Sequence, residues 1–200
     1  MNLPNKLTIF RIILVPIMVI IPFLGIKGEL FGIPMEYWVI DFIFISASLT
    51  DKLDGYLARK NNQVTTFGKF LDPLADKILV LAAMVMLVEM TKLPAWIPII
   101  VLAREFLVSG YRLIAVEKGG KVIAASNWGK LKTVTQMLAI ILAVVDLHSF
   151  GECFAGTLKG GEFILNLFVT IMMIIQTIAT IFSGFDYMKG AKKMILGTGY

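Results

Sequence analysis

Among its 200 residues the chain has one cysteine and one histidine. A lone Cys153 excludes an internal disulfide and a metal centre built on thiolates, and a lone His148 argues against imidazole-based catalysis. Charge is scarce as well. Only 16% of residues are charged and 58% are hydrophobic, whereas about a quarter of a soluble domain normally carries charge. There is no internal repeat, no low-complexity tract and no polar linker long enough to fold by itself, which predicts a single domain over 1–200. A signal cleavage site is also lacking. The first apolar run is longer than a signal core and is followed by no convincing small-residue site, so it reads as a retained helix.

What is present is apolar sequence in long blocks, with a mean hydropathy of +0.82. Hydrophobic segments fall at roughly 8–25, 37–58, 67–90, 95–117, 128–147 and 163–188, several of them reaching the about 20 residues that cross a bilayer. They predict an all-α, polytopic membrane protein with six transmembrane helices. Most Lys and Arg, including Lys6, Arg11, Arg59, Lys60, Lys118, Lys121, Lys130, Lys132 and Lys189, map to one side of this scheme, against Lys27, Lys92 and Lys159 on the other. The positive-inside bias then puts both termini in the cytoplasm, in a cytoplasmic (inner or plasma) membrane. The net charge of +5 suits anionic lipid head groups or phosphorylated substrates better than nucleic acid.

Four aspartates break the apolar pattern. Asp51 and Asp54 are three apart and Asp72 and Asp76 four apart, so each pair shares a helix face. Gly68 continues the second stripe. Carboxylates in such segments are costly and face a cavity, a pore or a metal instead of lipid. Left unpaired they repel one another and take up protons. Hard divalent cations such as Mg²⁺, Mn²⁺ or Ca²⁺ choose oxygen ligands and relieve both problems. Lys52, Lys69 and Lys77 lie one residue from an aspartate and so point to other faces. Gly55 and Gly68 offer close approach, and Pro73 is expected to kink the third helix between its two aspartates. Because the cluster straddles the turn at 60–66, it is expected to line a polar cavity open to the cytoplasm. Asp41 reads separately, as an acid paired with a lysine near the outer end of the second segment.

The full spacing, D-x2-D-G-x2-A-R-x8-G-x3-D-x3-D, runs from Asp51 to Asp76 through Gly55, Ala58, Arg59 and Gly68. It resembles the signature of the CDP-alcohol phosphotransferases with every fixed position present. The resemblance implies six transmembrane helices, usually as a homodimer. It implies that Asp51, Asp54, Asp72 and Asp76 hold two divalent metals, Mg²⁺ or Mn²⁺, with Asp76 as general base. Gly55, Ala58, Arg59, Thr65 and Gly68 would then form the CDP-lipid site.

The acceptor alcohol is read elsewhere. Arg104 and Arg112 lie eight residues apart on roughly one face of the fourth segment, and intramembrane arginines call for an anionic partner such as phosphate. Lys130 and Lys132 open the fifth helix behind Ser126, a candidate N-cap, and helix N-termini favour phosphate. Together these four cations describe an acceptor-phosphate pocket; the alternative is that Arg104 pairs with a carboxylate and the lysines anchor the membrane interface. The run L-A-R-E-F-L-V-S-G-Y-R-L-I-A (102–115) and the opening N-L-P-N-K-L-T-I-F-R (2–11) resemble bacterial phosphatidylglycerophosphate synthases. That resemblance adds Asn5 and Thr8 to the nucleotide site and implies CDP-diacylglycerol and glycerol 3-phosphate as substrates. Inositol phosphate, serine or phosphatidylglycerol are the alternative acceptors. A divalent-cation transporter or a polyprenyl transferase fits less well. Transport wants acids spread along a path, and the usual prenyl-transferase acidic motifs are spaced differently.

Overall fold

The computed structural model describes the backbone of residues 3–60, 66–117 and 127–195, and the side chains of residues 6–50, 71, 73–112 and 128–189. Six α-helices dominate these residues: α1 (Leu3–Ile20), α2 (Met35–Lys60), α3 (Thr66–Glu89), α4 (Trp96–Glu117), α5 (Asn127–Val145) and α6 (Gly160–Ile195). Each coincides with one hydrophobic segment of the sequence. α1 begins earlier and α6 ends later than the apolar runs, because a helix propagates into flanking polar residues once nucleated. Among the described residues three stretches are long and apolar enough to cross a membrane: Lys6–Leu24, Trp128–Val145 and Gly160–Lys189. The other three helices, α2, α3 and α4, carry the clustered aspartates and Arg59, Arg104 and Arg112.

Among the described residues the one sheet is a small hairpin, β1 (Glu29–Leu30) paired antiparallel with β2 (Ile33–Pro34). Its two-residue loop has Phe31 and Gly32 at φ 58° and 77°, the left-handed pair that matches the twist of a tight hairpin. Trp38 Nε1 donates to the Leu30 carbonyl at 3.2 Å and ties α2 to the hairpin.

The chain packs as two compact units. In the first, Met1–Leu93 with Ile140–Ser149, α1 lies against α2 and α3. It buries a stripe of Thr8, Arg11, Val15 and Met18, repeating every three or four residues as one helical face requires. Arg11, counted above among cations of the inner side, is fully buried in that stripe. α3 continues through Pro73, so the expected kink does not interrupt the helix. It ends where Thr91 N donates to Val88 O at 3.0 Å and Lys92 N to Leu87 O at 2.9 Å, a Schellman closure. Closing it needs a left-handed residue, and the chain supplies Thr91 at φ 59° in place of glycine.

That turn sends Lys92 inward. Its ammonium sits 3.7 Å over the ring of Tyr37. Burial pulls it down to about 8, although Asp146, Asp41 and Glu36 oppose the shift. Asp41 thus has the lysine expected for it as a charge partner, but its buried Oδ1 accepts no hydrogen bond.

In the second unit, Pro94–Ala139 with Phe150–Tyr200, α4 packs on α6. The buried face of α6 mixes Val169, Met173 and Ala179 with Gln176, Thr177, Thr180 and Ser183. The threonine hydroxyls return to carbonyls one turn back, Thr177 to Met173 and Thr180 to Gln176, each at 2.7 Å. Their polarity is thereby satisfied inside an apolar helix. Trp128 stacks on Phe182 at 5.1 Å and Trp96 meets Phe150 edge-on at 6.2 Å.

Candidate active site

The four aspartates fall on two helices of the first unit, Asp51 and Asp54 on α2, Asp72 and Asp76 on α3. α2 and α3 pack against each other, and α1 packs on both. Of the four side chains only Asp76 is among those described. It is partly buried and engaged by a neighbour. The side chains of Asn5, Asp51, Asp54, Gly55, Ala58, Arg59, Gly68 and Asp72 lie outside the described residues, as do Thr65 and Ser126 altogether. No group of three acids, histidines or cysteines occurs among the described residues, which include one member of the quartet. Thr8, placed at the nucleotide by resemblance, is buried on the face that α1 turns inward. As a donor set, four carboxylates paired by helical spacing on two packed helices fit hard divalent cations.

The second unit holds a polar cluster among its described residues. Arg104 projects from α4 with Nη1 donating to Glu105 Oε1 at 2.9 Å and Nη2 to the Ser183 hydroxyl of α6 at 2.5 Å. Lys132 of α5 donates to the same Glu105 oxygen at 2.6 Å. Arg112, two turns further along α4, donates from Nη2 to the Tyr187 hydroxyl at 2.9 Å. Both guanidinium carbons lie 5.6 Å from the centre of the Tyr187 ring, close enough for attraction to its π face. A buried tyrosine thereby connects two arginines that sequence alone put on one face.

The structure therefore brings together Arg104, Arg112 and Lys132 of the four expected cations. Lys130 is exposed and stands outside the network. Lys132 is buried, a costly position for an ammonium without its acid. Three members were not assigned from sequence: Glu105, Ser183 and Tyr187. Glu105 left a signal, an acid within an apolar run beside an arginine. Ser183 and Tyr187 left only a spacing of four at the end of the last segment, which many packed helices show. Arg104 Nε is buried with no hydrogen-bond partner, so the guanidinium keeps a donor in reserve. Such a cluster can hold an anion with oxygen acceptors on several sides.

The family model for CDP-alcohol phosphatidyltransferases matches residues 1–183. The chain is 42% identical over 193 residues to a CDP-diacylglycerol–glycerol-3-phosphate 3-phosphatidyltransferase of Bacillus subtilis, covering 93% of each sequence. It is 40% identical over 199 residues to the Haemophilus influenzae protein of the same description, covering 98% of this chain and 96% of the other. A probable phosphatidylglycerophosphate synthase of Mycobacterium tuberculosis is 35% identical over 196 residues, 98% of this chain and 84% of that protein.

Proposed function

This chain belongs to the CDP-alcohol phosphatidyltransferase family, and on that footing we propose that it transfers the phosphatidyl group of CDP-diacylglycerol to sn-glycerol 3-phosphate, giving phosphatidylglycerophosphate and CMP. Similarity over nearly the whole chain to relatives carrying that description carries the reading. The clustered cations of α4 and α5 support it, since an acceptor bearing a phosphate needs them and serine does not.

In the reaction a hydroxyl oxygen of the acceptor forms a bond to the phosphatidyl phosphorus while the bond to the CMP oxygen breaks. Asp51, Asp54, Asp72 and Asp76 would hold two divalent cations, Mg²⁺ or Mn²⁺, which when bound supply neutralisation of pyrophosphate charge. Asp76 takes the proton of the attacking hydroxyl, a role open to a carboxylate once the hydroxyl is within hydrogen-bond reach. Gly55, Ala58, Arg59, Thr65 and Gly68, with Asn5 and Thr8, meet the CDP moiety. Arg104, Arg112 and Lys132 bind the acceptor's phosphate. We read the enzyme as one domain of six transmembrane helices, working as a homodimer with its polar cavity and both termini facing the cytoplasm.

CMP release by detergent-purified protein tests this reading. With Mg²⁺ or Mn²⁺, CMP should appear only when CDP-diacylglycerol and glycerol 3-phosphate are both present. Equal or faster release with inositol phosphate, serine or phosphatidylglycerol would reassign the acceptor, and no release with any of them would reject the enzyme reading.

A further inference from the structure

Glu105 is directly paired with two cations of the network, and its position is unusual for a simple helix tie. A single oxygen, Oε1, accepts from Arg104 at 2.9 Å and from Lys132 at 2.6 Å, with side-chain exposures of 12% for Arg104, 18% for Glu105 and 9% for Lys132. Two cations meeting at one carboxylate oxygen would repel each other without it. Arg104 spends Nη1 on Glu105 and Nη2 on Ser183, which fixes the guanidinium plane and leaves buried Nε without a partner. The formal charges of Arg104, Arg112, Lys132 and Glu105 leave two positive charges in excess. A phosphomonoester near neutral pH approaches two negative charges, since its second ionisation falls near about pH 6.

We propose that Glu105 is a positioning residue for the acceptor's phosphate. Its carboxylate holds Arg104 and Lys132 side by side and aligned, and trims the pocket to the charge that a phosphomonoester dianion neutralises. The inference rests on the reading of this network as the acceptor pocket. It gives the acid a function that none of the cations can replace, because only a negative group can hold two of them side by side.

Steady-state kinetics on full-length protein in detergent test it, with KM measured separately for the two substrates and thermal melting measured on the same samples. Glu105→Gln should raise KM for glycerol 3-phosphate about tenfold, the loss of one charge-assisted contact, while KM for CDP-diacylglycerol stays within about twofold and Glu105→Asp recovers part of the effect. Arg104→Lys should also raise KM for glycerol 3-phosphate, because an ammonium cannot reproduce the planar fork. If Arg104→Lys leaves that KM unchanged, the pocket reading fails and the proposal goes with it. If Arg104→Lys raises it but Glu105→Gln leaves it unchanged or lowers it, the pocket stands and the role of Glu105 is lost. Should Glu105→Gln not fold, Glu105→Asp decides: a selective rise in KM for glycerol 3-phosphate supports the proposal, and equal changes in both KM values overturn it.

Discussion

The ammonium of Lys92 donates to the carbonyl oxygen of Val144 at 2.6 Å, joining residues 52 positions apart. Val144 lies in the last turn of α5, where the carbonyls have no partner within the helix. The turn after α3 and the end of α5 are therefore fastened by one buried cation, which also offsets Asp41 and Asp146. Removing the cation strands the acids. Lys92→Met is expected to destabilise the protein by about 3 kcal/mol, as when one partner of a buried ion pair is deleted. Adding Asp41→Asn should return part of that loss, and melting in detergent compares the single and double variants.

The same lysine gives a dependence on pH. Its folded-state value of about 8 lies below the ordinary 10.5, so between these two values the unfolded chain holds more protons than the folded one. Stability contributed by this group therefore rises with pH across that window, and the burial cost is fully present below it. Melting curves of the wild type should show this rise relative to Lys92→Met, which lacks the titrating group. Identical slopes for the two proteins would contradict it.

Thr91 closes α3 in the left-handed conformation that a β-branched residue adopts at a cost. Thr91→Gly keeps the two closing hydrogen bonds and removes the clash of Cβ with the backbone. The variant is expected to gain about 1 kcal/mol, read as a higher melting temperature with unchanged CMP release.

Tyr187 links the network through its hydroxyl to Arg112 and through its ring to both arginines. Tyr187→Phe retains the ring and loses the hydrogen bond, so KM for glycerol 3-phosphate should rise about fivefold. Tyr187→Leu loses both and should raise it further, with KM for CDP-diacylglycerol steady in each case.

Asp76→Asn is expected to lower the rate of CMP release at least about a hundredfold, the usual contribution of a general base. A chelator should abolish release from the wild type, and added Mg²⁺ or Mn²⁺ should restore it. Full activity of Asp76→Asn at saturating metal would remove this residue from the chemistry.

The apolar blocks fixed the six helices because burying backbone polar groups in an apolar setting leaves helix as the local solution, and each block became one helix. The aspartate motif was legible for a related reason: acids at helical spacing in greasy sequence have few uses. The hairpin at 29–34 escaped notice, since Phe31 in a left-handed turn carries none of the usual Asn-Gly signal. The tally of cations did not foretell that Arg11, Lys92 and Lys132 are buried, because composition cannot tell a cation at the interface from one inside the fold. Sequence alone thus determined the family and the helices. Tertiary packing decided that Glu105, Ser183 and Tyr187 hold the cations while Lys130 does not, because partnership between α4, α5 and α6 is a property of side chains meeting in space, which no spacing along one helix specifies.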